Sequence, residues 1–211
     1  MSGGQFISFE GGDGCGKSTQ LKLAAAWLRE QGVQVLETRE PGATDLGLEL
    51  RRLLLSGEYV PVPECELLLF LADRAQHVKA VIQPALARGE WVLCDRYSDS
   101  TLAYQLAARG LSDSADLKPM LDFAEVGASP DKTFWLDIPA EAALQRVSAR
   151  TNMGEESTRL DEEALSFHQQ VHAGFAAIYR EHTMRIHRID AMNTIDCIHQ
   201  EIRLQLQGML G

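Results

Sequence analysis

The amino-acid sequence alternates short apolar runs with longer segments in which apolar residues recur at every third or fourth position. In the first long segment, Leu21, Ala24 and Leu28 have the spacing of one helix face. The short runs have the length and the apolar content of buried strands. This pattern predicts strands at residues 5–10, 33–38, 91–94, 133–137 and 185–189.

The segments between these runs predict helices. They cover residues 17–31, 46–55, 64–81, 98–108, 115–126, 161–182 and 194–210, and a further helix begins at Pro139. Strands joined by helices need crossover connections, so the expected fold class is α/β, a parallel sheet with helices on both faces. Ligands bind such sheets beyond the carboxyl ends of the strands.

Composition and charge favour one domain without a polyanionic partner. The length of 211 residues, 45% of them apolar, fits a single domain over residues 1–211. No apolar run is long enough to cross a bilayer, and residues 1–5 do not resemble a signal peptide. The formal net charge of −10 predicts no nucleic-acid partner and no membrane partner. The four cysteines are scattered and fit no disulfide or zinc pattern, which predicts reduced thiols and a cytoplasmic location; they are Cys15, Cys65, Cys94 and Cys197.

A phosphate-binding loop follows the first predicted strand. Residues 11–18, Gly-Gly-Asp-Gly-Cys-Gly-Lys-Ser, match the pattern G-x-x-x-x-G-K-[ST]. Glycines let backbone amides approach phosphate oxygens, and the following helix adds the positive end of its dipole. Lys17 is expected to bridge the β- and γ-phosphates of ATP, and Ser18 to bind Mg²⁺. The other expected nucleotide-binding residues of the loop are Gly11, Gly12, Asp13, Gly14, Cys15, Gly16 and Thr19.

Two features of this loop have alternative interpretations. The loop could be a flexible glycine turn with a surface lysine, although its place between a strand and a helix favours phosphate binding. The backbone amide of Cys15 is its expected contribution, and the alternative is a reactive thiolate at a helix N-terminus.

The rest of the chain distinguishes among proteins that carry this loop. A switch GTPase needs a guanine-reading N-K-x-D motif, and the nearest string, Asn-Thr-Ile-Asp at residues 193–196, lacks the lysine. Large mechanochemical ATPases carry further domains, for which 211 residues leave no room. A small single-domain kinase fits both the length and the motif.

Further short strings follow the phosphate loop in a characteristic order. They are TREPG at residues 38–42, DRYSDSTLAYQ at 95–105, ARG at 108–110 and RLD at 159–161. Together with the loop, these strings resemble thymidylate kinases of the bacterial type over essentially the whole chain. The resemblance implies the P-loop NTPase fold with strand order 2-3-1-4-5. It also implies a homodimer and the reaction ATP + dTMP → ADP + dTDP with Mg²⁺.

The resemblance implies roles around the phosphate groups. Arg96 and Arg51 would grip the dTMP phosphate, because a guanidinium fork matches phosphate geometry. Arg51 could instead be a solvated helix charge beside Arg52. Asp95, at the end of the third strand, would organise Mg²⁺, and Asp137, at the end of the fourth strand, is the competing acid.

The resemblance also implies how the nucleoside of dTMP is bound. Phe70 would stack on thymine, although core packing is the usual role of such a phenylalanine, and Arg74 would donate to thymine O4. Asp13 would reach the sugar 3′-hydroxyl or instead stabilise its own loop, and Glu40 would lie near the same sugar and the metal. The expected dTMP-binding residues are Asp13, Glu40, Arg51, Phe70, Arg74, Arg96, Ser100, Thr101, Tyr104 and Gln105.

For three of these residues, the resemblance also implies which part of dTMP the side chain contacts. Thr101 and Gln105 would read the thymine edge, and Tyr104 would crowd the 2′ position of the sugar. On the ATP side, Arg146 would lie on adenine or would be a surface charge.

A lid is expected at residues 147–159, a segment with few apolar anchors between two predicted helices. Eukaryotic members often place an arginine at the position of Gly14, whereas bacterial members place a catalytic arginine in the lid. Arg150 matches that position best, and its alternative is a helix C-terminal cation. Arg159 would anchor the exit of the lid. The expected catalytic residues are Lys17, Asp95, Arg96 and Arg150.

Two other functions compete with this interpretation. Another nucleoside monophosphate kinase, or a deoxynucleoside kinase, would use the same loop and fold with a different acceptor. A nucleotide-dependent binding switch would retain nucleotide and transfer nothing to dTMP.

Overall fold

The computed structural model describes residues 3–111, 117–154 and 157–210, in which the strands form a parallel sheet. The strands are β1 (Phe6–Glu10), β2 (Val35–Arg39), β3 (Trp91–Asp95), β4 (Lys132–Asp137) and β5 (Ile186–Asp190). Their order is β2-β3-β1-β4-β5, and each neighbouring pair is parallel. The predicted fold class and strand order are confirmed.

Helices connect the strands and cover both faces of the sheet. The α-helices are α1 (Lys17–Glu30), α2 (Asp45–Leu55), α3 (Pro63–His77), α4 (Gln83–Ala87), α5 (Ser98–Thr101), α6 (Lys118–Glu125), α7 (Ala140–Asn152), α8 (Leu165–Glu181) and α9 (Ile195–Gln207). A π-helical segment, Val78–Ile82, joins α3 to α4, and another, Leu102–Ala108, continues α5. Ile7 and Phe9 share one apolar cluster with α1 and α9, and Phe6 packs with the first π-helical segment in another. None of the helices in the described ranges combines the length and the apolarity that crossing a bilayer demands.

All strands run in the same direction, so their carboxyl ends lie at one edge of the sheet. In the register of the sheet, Asp95 of β3 is opposite Arg39 of β2 and opposite Phe9 of β1. The phosphate loop leaves β1 directly after Glu10 at this edge. Polar residues that are far apart in the sequence therefore meet where ligands bind parallel sheets.

One helix boundary was predicted wrongly for an identifiable reason. The helix predicted from residue 161 begins at Leu165. The Asp161 carboxylate instead accepts hydrogen bonds from the N–H and the hydroxyl of Thr158, at 2.9 and 2.8 Å. A carboxylate that bonds to a nearby backbone N–H favours a turn over a helix interior.

The lid predicted at residues 147–159 is helical in its first part, because α7 continues through Asn152. Residues 155 and 156 of that prediction lie outside the described residues. Residues 115 and 116, where the helix predicted at 115–126 begins, also lie outside them, and α6 is the described part of that helix.

Candidate active site

The phosphate loop presents backbone amides at the N-terminus of α1. Gly11, Gly14 and Gly16 have positive φ angles of 137°, 81° and 97°, a region that favours glycine. Among the described residues no side chain caps the N-terminus of α1, so its first amides can bind an anion. Lys17 folds over the loop, and its Nζ donates to the carbonyl oxygens of Gly11 and Gly12 at 3.0 and 2.9 Å.

The loop packs closely against the end of β4 and against α7. A Cβ atom at Gly11 would lie 2.6 Å from the carbonyl oxygen of Leu136. A Cβ atom at Gly14 would lie 2.4 Å from the carbonyl oxygen of Ala143. Glycine is therefore required at both positions for two reasons, the φ angle and the lack of space.

Two cavities open at this edge of the sheet and meet at a common boundary. The large cavity is lined by the phosphate loop, Arg146, Arg150 and residues 193–195. The small cavity is lined by Phe70 and Arg74 among other residues. The residues that line both cavities are Asp13, Glu40, Arg51, Arg96 and Thr158.

Arg96 and Asp13 form an ion pair on this boundary. Arg96 Nη2 donates to Asp13 Oδ1 at 2.6 Å and to the Tyr104 hydroxyl at 3.1 Å. Arg96 Nη1 donates to the Gly11 carbonyl and to the Ser100 hydroxyl, each at 3.0 Å. The Tyr104 hydroxyl donates to Asp13 Oδ2 at 2.8 Å. Burial would raise the pKa of Asp13, but the charge of Arg96, with further donors, outweighs burial and lowers that pKa below its ordinary value.

Glu10, a buried carboxyl group at the end of β1, supports this cluster. Its Oε1 accepts from the Tyr97 backbone N–H at 2.7 Å, and its Oε2 accepts from the Ser100 hydroxyl at 2.5 Å. Burial, and then the charge of Asp99, raise the pKa of Glu10 to about 7. Ser100, an expected dTMP ligand, lines the small cavity, but its hydroxyl is engaged between Glu10 and Arg96.

A second buried ion pair, between Arg74 and Glu40, borders the small cavity. Arg74 Nε and Nη2 donate to Glu40 Oε2 at 2.9 and 2.8 Å. His77 links the pair to β2, since its Nδ1 lies 2.9 Å from Glu40 Oε1 and its Nε2 lies 2.7 Å from the Thr38 hydroxyl. Arg74 Nη1 is buried and has no hydrogen-bond partner in the described part of the chain. The arginine expected at thymine O4 therefore retains one unpaired donor.

Ser18 and Asp95 offer a site that fits Mg²⁺. The Ser18 hydroxyl donates a short hydrogen bond to Asp95 Oδ2, and both residues line the large cavity. Mg²⁺ prefers such oxygen ligands and commonly takes only one or two from the protein, with water and phosphate oxygens completing its coordination. Within the described ranges, no group of three or more His, Cys, Asp or Glu side chains could hold a metal ion.

Asp137, the competing acid, is engaged in other contacts. Its Oδ1 lies 2.6 Å from His172 Nε2, and its Oδ2 accepts from Arg188 Nε at 2.7 Å. Asp137 does not line the large cavity, whereas Asp95 does. The geometry therefore favours Asp95 as the acid near a bound metal.

The remaining residues expected to bind dTMP also lie at the small cavity. Phe70, Thr101 and Gln105 line it, and Phe70 packs against an apolar cluster as well, so both interpretations of Phe70 describe its position. Arg51 lines both cavities, and its Nη1 donates to the Pro41 carbonyl at 3.0 Å, a position that favours the binding role over that of a solvated helix charge. Burial, and then the charge of Arg39, lower the pKa of Arg51.

The two arginines expected on the ATP side both lie on α7. Arg146 Nη2 donates to the Ala191 carbonyl at 3.0 Å, which holds the guanidinium near the residues 193–195 that line the same cavity. Arg150 lies in the last turn of α7 and lines the large cavity. Both positions are compatible with a nucleotide in that cavity.

Arg159 ties the exit of the predicted lid to two other helices. Its backbone N–H donates to the Leu55 carbonyl at 3.0 Å, and its Nε donates to the Leu54 carbonyl at 3.1 Å. Its Nη2 donates a short hydrogen bond to Glu66 of α3. These contacts connect Arg159 to α2 and α3, a position compatible with the expected anchor.

Several residues that shape the site were not identified from the sequence. Glu10, Asp73 and His77 are buried acids and a buried histidine whose positions carry no motif. Burial and the charge of Glu40 raise the pKa of Asp73 to about 6. Asn193 follows β5 and lines the large cavity, and the rule that ligands bind at carboxyl ends of strands could have indicated it.

Comparisons with known proteins converge on one family. The sequence model of the family described as thymidylate kinase matches residues 9–202. The chain is 46% identical over 206 residues to the thymidylate kinase of Gloeobacter violaceus, covering 98% of this chain and 96% of that protein. It is 46% identical over 201 residues to that of Syntrophus aciditrophicus, covering 93% and 91%. The crystal structure of thymidylate kinase from Ehrlichia chaffeensis is similar with a TM-score of 0.78 and 33% identity, covering 98% of this chain and 100% of that one.

Proposed function

The chain belongs to the thymidylate kinase family, and on this premise we propose that it transfers the γ-phosphoryl group of ATP to dTMP, releasing ADP and dTDP. The observation that carries the proposal is the common boundary of the two cavities. The phosphate loop lies in the large cavity, and an aromatic ring with several polar groups lines the small one. A donor in the first cavity and an acceptor in the second would meet at their phosphates.

In this proposal, ATP binds to loop residues 11–19 and to Arg146. The loop amides and Lys17 neutralise charge on the β- and γ-phosphates. Ser18 and Asp95 hold Mg²⁺, which when bound shields the same phosphate charge. Arg146, fixed by the Ala191 carbonyl, lays its planar guanidinium on adenine.

The dTMP molecule occupies the small cavity. Phe70 stacks on thymine, and the unpaired Nη1 of Arg74 donates to O4. Thr101 and Gln105 contact the remaining edge of the base. Asp13, Glu40 and Tyr104 surround the sugar, with Asp13 ionised so that it can accept a hydrogen bond from the 3′-hydroxyl.

Phosphoryl transfer requires positioning and charge neutralisation more than covalent chemistry from the protein. Arg51 and Arg96 line the boundary and hold the dTMP phosphate in place. Arg150, in the last turn of α7, contacts the transferred group when the lid closes. Lys17 stays with the donor phosphates throughout.

The proposed enzyme is a single-domain, cytoplasmic homodimer. The resemblance to the family suggests the dimer, and α3, with α2 and α6 packed beside it, forms a set of three helices that supplies exposed apolar side chains for it. Leu48, Leu68 and Phe123 are 50%, 52% and 82% exposed on these helices. Cysteines that are free, without a disulfide, agree with a reducing compartment.

A coupled ADP-release assay tests the proposed function. The acceptors are dTMP, dUMP, AMP and deoxythymidine, and a folded Lys17→Ala variant is the control. We expect dTMP to give the highest kcat/KM, dUMP to be poorer because it lacks the methyl group, and the variant to be inactive. Equal turnover of AMP or deoxythymidine, or none with any acceptor, would contradict the proposal.

A further inference from the structure

Glu66 of α3 is a buried carboxylate that lines neither cavity but contacts a residue that does. Its Oε1 accepts from Gln105 Nε2 at 2.9 Å and from Arg109 Nε at 3.2 Å. Its Oε2 accepts from Arg109 Nη2 at 3.3 Å and from Arg159 Nη2. Donors therefore surround both oxygens.

These donors keep Glu66 ionised. Burial would raise the pKa of Glu66, but hydrogen bonds from Gln105, Arg159 and Arg109 outweigh burial and lower that pKa. An ionised carboxylate only accepts hydrogen bonds, so the Gln105 amide must turn its NH₂ group toward Glu66. The acceptor-only chemistry of the carboxylate thus fixes which end of the Gln105 amide faces Glu66.

The opposite end of the amide is then available to the small cavity. Gln105 is 2% exposed and lines that cavity. Across the described ranges, no side chain or backbone group donates to Gln105 Oε1. The amide thus offers the cavity an acceptor, and Glu66 prevents it from flipping to offer a donor.

We propose that Glu66 is a positioning residue that selects thymine over cytosine by fixing the orientation of the Gln105 amide. Thymine carries a hydrogen-bond donor at N3, whereas cytosine carries an acceptor there. An Oε1 atom held toward the base pairs with the thymine N3–H and leaves cytosine N3 facing another acceptor. Sites built around one hydrogen bond reject analogues that leave it unmade. The inference rests on the proposed binding of dTMP in the small cavity.

The test compares dTMP with 5-methyl-dCMP, which has the same methyl group, sugar and phosphate. In Glu66→Gln the new amide offers both donors and an acceptor, so the Gln105 amide can flip. We expect the ratio of kcat/KM for dTMP to that for 5-methyl-dCMP to fall by about tenfold, as for coupled neighbouring residues. The fall should include a gain for 5-methyl-dCMP, which a general structural defect would not produce. The KM for ATP should not change.

Glu163→Gln is the matched control. Glu163 accepts from Arg109 Nη2 at 2.6 Å and lies 3.8 Å from Arg159 Nη1, so it belongs to the same charge cluster. It has no hydrogen bond to Gln105 among the described contacts. The Glu163→Gln substitution removes one charge from this cluster and should leave the ratio of kcat/KM for dTMP to that for 5-methyl-dCMP unchanged.

A double-mutant cycle decides whether Glu66 acts through Gln105. In a Gln105→Ala background, Glu66→Gln should no longer change the ratio. An unchanged ratio in folded Glu66→Gln, or the same fall in the Gln105→Ala background, overturns the proposal. If Glu66→Gln does not fold, Glu66→Asp keeps the negative charge but shortens the side chain by one methylene group and so disturbs the contact with Gln105, and the same two results decide. If the wild-type protein does not phosphorylate dTMP, the proposed function is contradicted as well. If the wild type selects dTMP and Glu66→Gln leaves the ratio of kcat/KM for dTMP to that for 5-methyl-dCMP unchanged, this inference alone is contradicted.

Discussion

Arg96 has a backbone conformation that few residues adopt. Its side chain contacts several elements at the boundary of the two cavities. Its φ angle is 70°, in the left-handed region. Such conformations persist where the surroundings fix them. Here hydrogen bonds to the phosphate loop, Ser100 and Tyr104 do so. The geometry of the acceptor site and that of the phosphate loop are therefore linked through one side chain.

Glu10 predicts a pH-dependent stability. Its pKa of about 7 in the folded protein lies above its ordinary value of 4.5, so folding favours the protonated form. Its contribution to the free energy of unfolding is complete below the ordinary pKa and is lost as the pH rises through about 7. Glu10→Gln stays neutral at every pH. We expect it to gain stability relative to wild type between about pH 5 and about pH 8, measured by urea unfolding without ligands.

The exposed Glu162→Gln variant is the control for this experiment. The free energy of unfolding of this variant should differ from that of the wild type by the same amount at both pH values. A Glu10→Gln variant whose advantage stays constant or shrinks with rising pH would contradict the interpretation.

Single residues were predictable where a contiguous pattern encodes their chemistry. Lys17 and Ser18 follow from the loop motif alone. The bond between Ser100 and Glu10 joins residues 90 positions apart, and the pair of Arg74 and Glu40 spans 34 positions. Because tertiary folding alone brings such partners together, no local pattern predicted the contacts, although the resemblance indicated some of the residues.

At the scale of elements, the contact between the phosphate loop and α7 restricts position 14. A Cβ atom there would lie 2.4 Å from the Ala143 carbonyl oxygen, and the φ angle of Gly14 is 81°. An arginine at this position, as in many eukaryotic members, would force the loop or α7 to move. We therefore expect another residue of this chain to supply the positive charge that contacts the transferred group.

Gly14→Ala is expected to destabilise the protein by about 1–3 kcal/mol, because it combines a strained φ angle with a steric clash. Thermal unfolding without nucleotide measures this effect. Gly12→Ala is the matched control, since a Cβ atom at Gly12 would meet nothing within 4 Å. Equal shifts in the two variants would show that the packing of the loop against α7 does not restrict position 14.

Arg150 is predicted to supply that charge from the last turn of α7. Arg150→Ala should lower kcat by about 10³-fold or more, as for other arginines that contact a transferring phosphoryl group. The Kd for dTMP, measured by calorimetry without ATP, should stay nearly unchanged.

Arg180→Ala tests the alternative that Arg150 merely complements a helix dipole. Arg180 is an exposed cation in the last turn of α8 and is remote in sequence from the lid. Its variant should keep the wild-type kcat. A kcat within about threefold of wild type for Arg150→Ala would contradict the catalytic role.

The existence of the elements was more predictable than their ends. Apolar periodicity located the strands and most helices, because burial of one face of an element produces that periodicity. It could not locate the π-helical segments, Val78–Ile82 and Leu102–Ala108, which continue helices without a change of pattern. It also placed Asp161 in a helix, whereas the side chain of that residue closes a turn at Thr158.

At the scale of the whole molecule, periodicity predicted a parallel sheet but not its strand order. Several orders are compatible with alternating strands and helices. The order 2-3-1-4-5 came from the family resemblance, and the structure confirms it. This order places β3 beside β1, so Asp95 and the phosphate loop are neighbours and Asp137 lies on the other side.

The exposed apolar residues of α2, α3 and α6 predict the association of two chains. Leu68→Glu should convert the expected dimer to a monomer, because a carboxylate would be buried unpaired in the interface. Light scattering coupled to size-exclusion chromatography measures the mass. Leu204→Glu, at a residue 63% exposed on α9, is the control and should stay dimeric. A monomeric wild type, or a dimeric Leu68→Glu variant, would contradict this assignment of the interface.

Direct transfer of a phosphoryl group between ligands in the two cavities can be followed with labelled phosphate. ATP labelled in its γ-phosphate is incubated with the enzyme, Mg²⁺ and dTMP, and the products are separated. We expect the label to appear in dTDP in proportion to the ADP released, and a folded Lys17→Ala variant to produce neither. Label in inorganic phosphate without labelled dTDP, or ADP release that does not depend on dTMP, would contradict direct transfer between the two cavities.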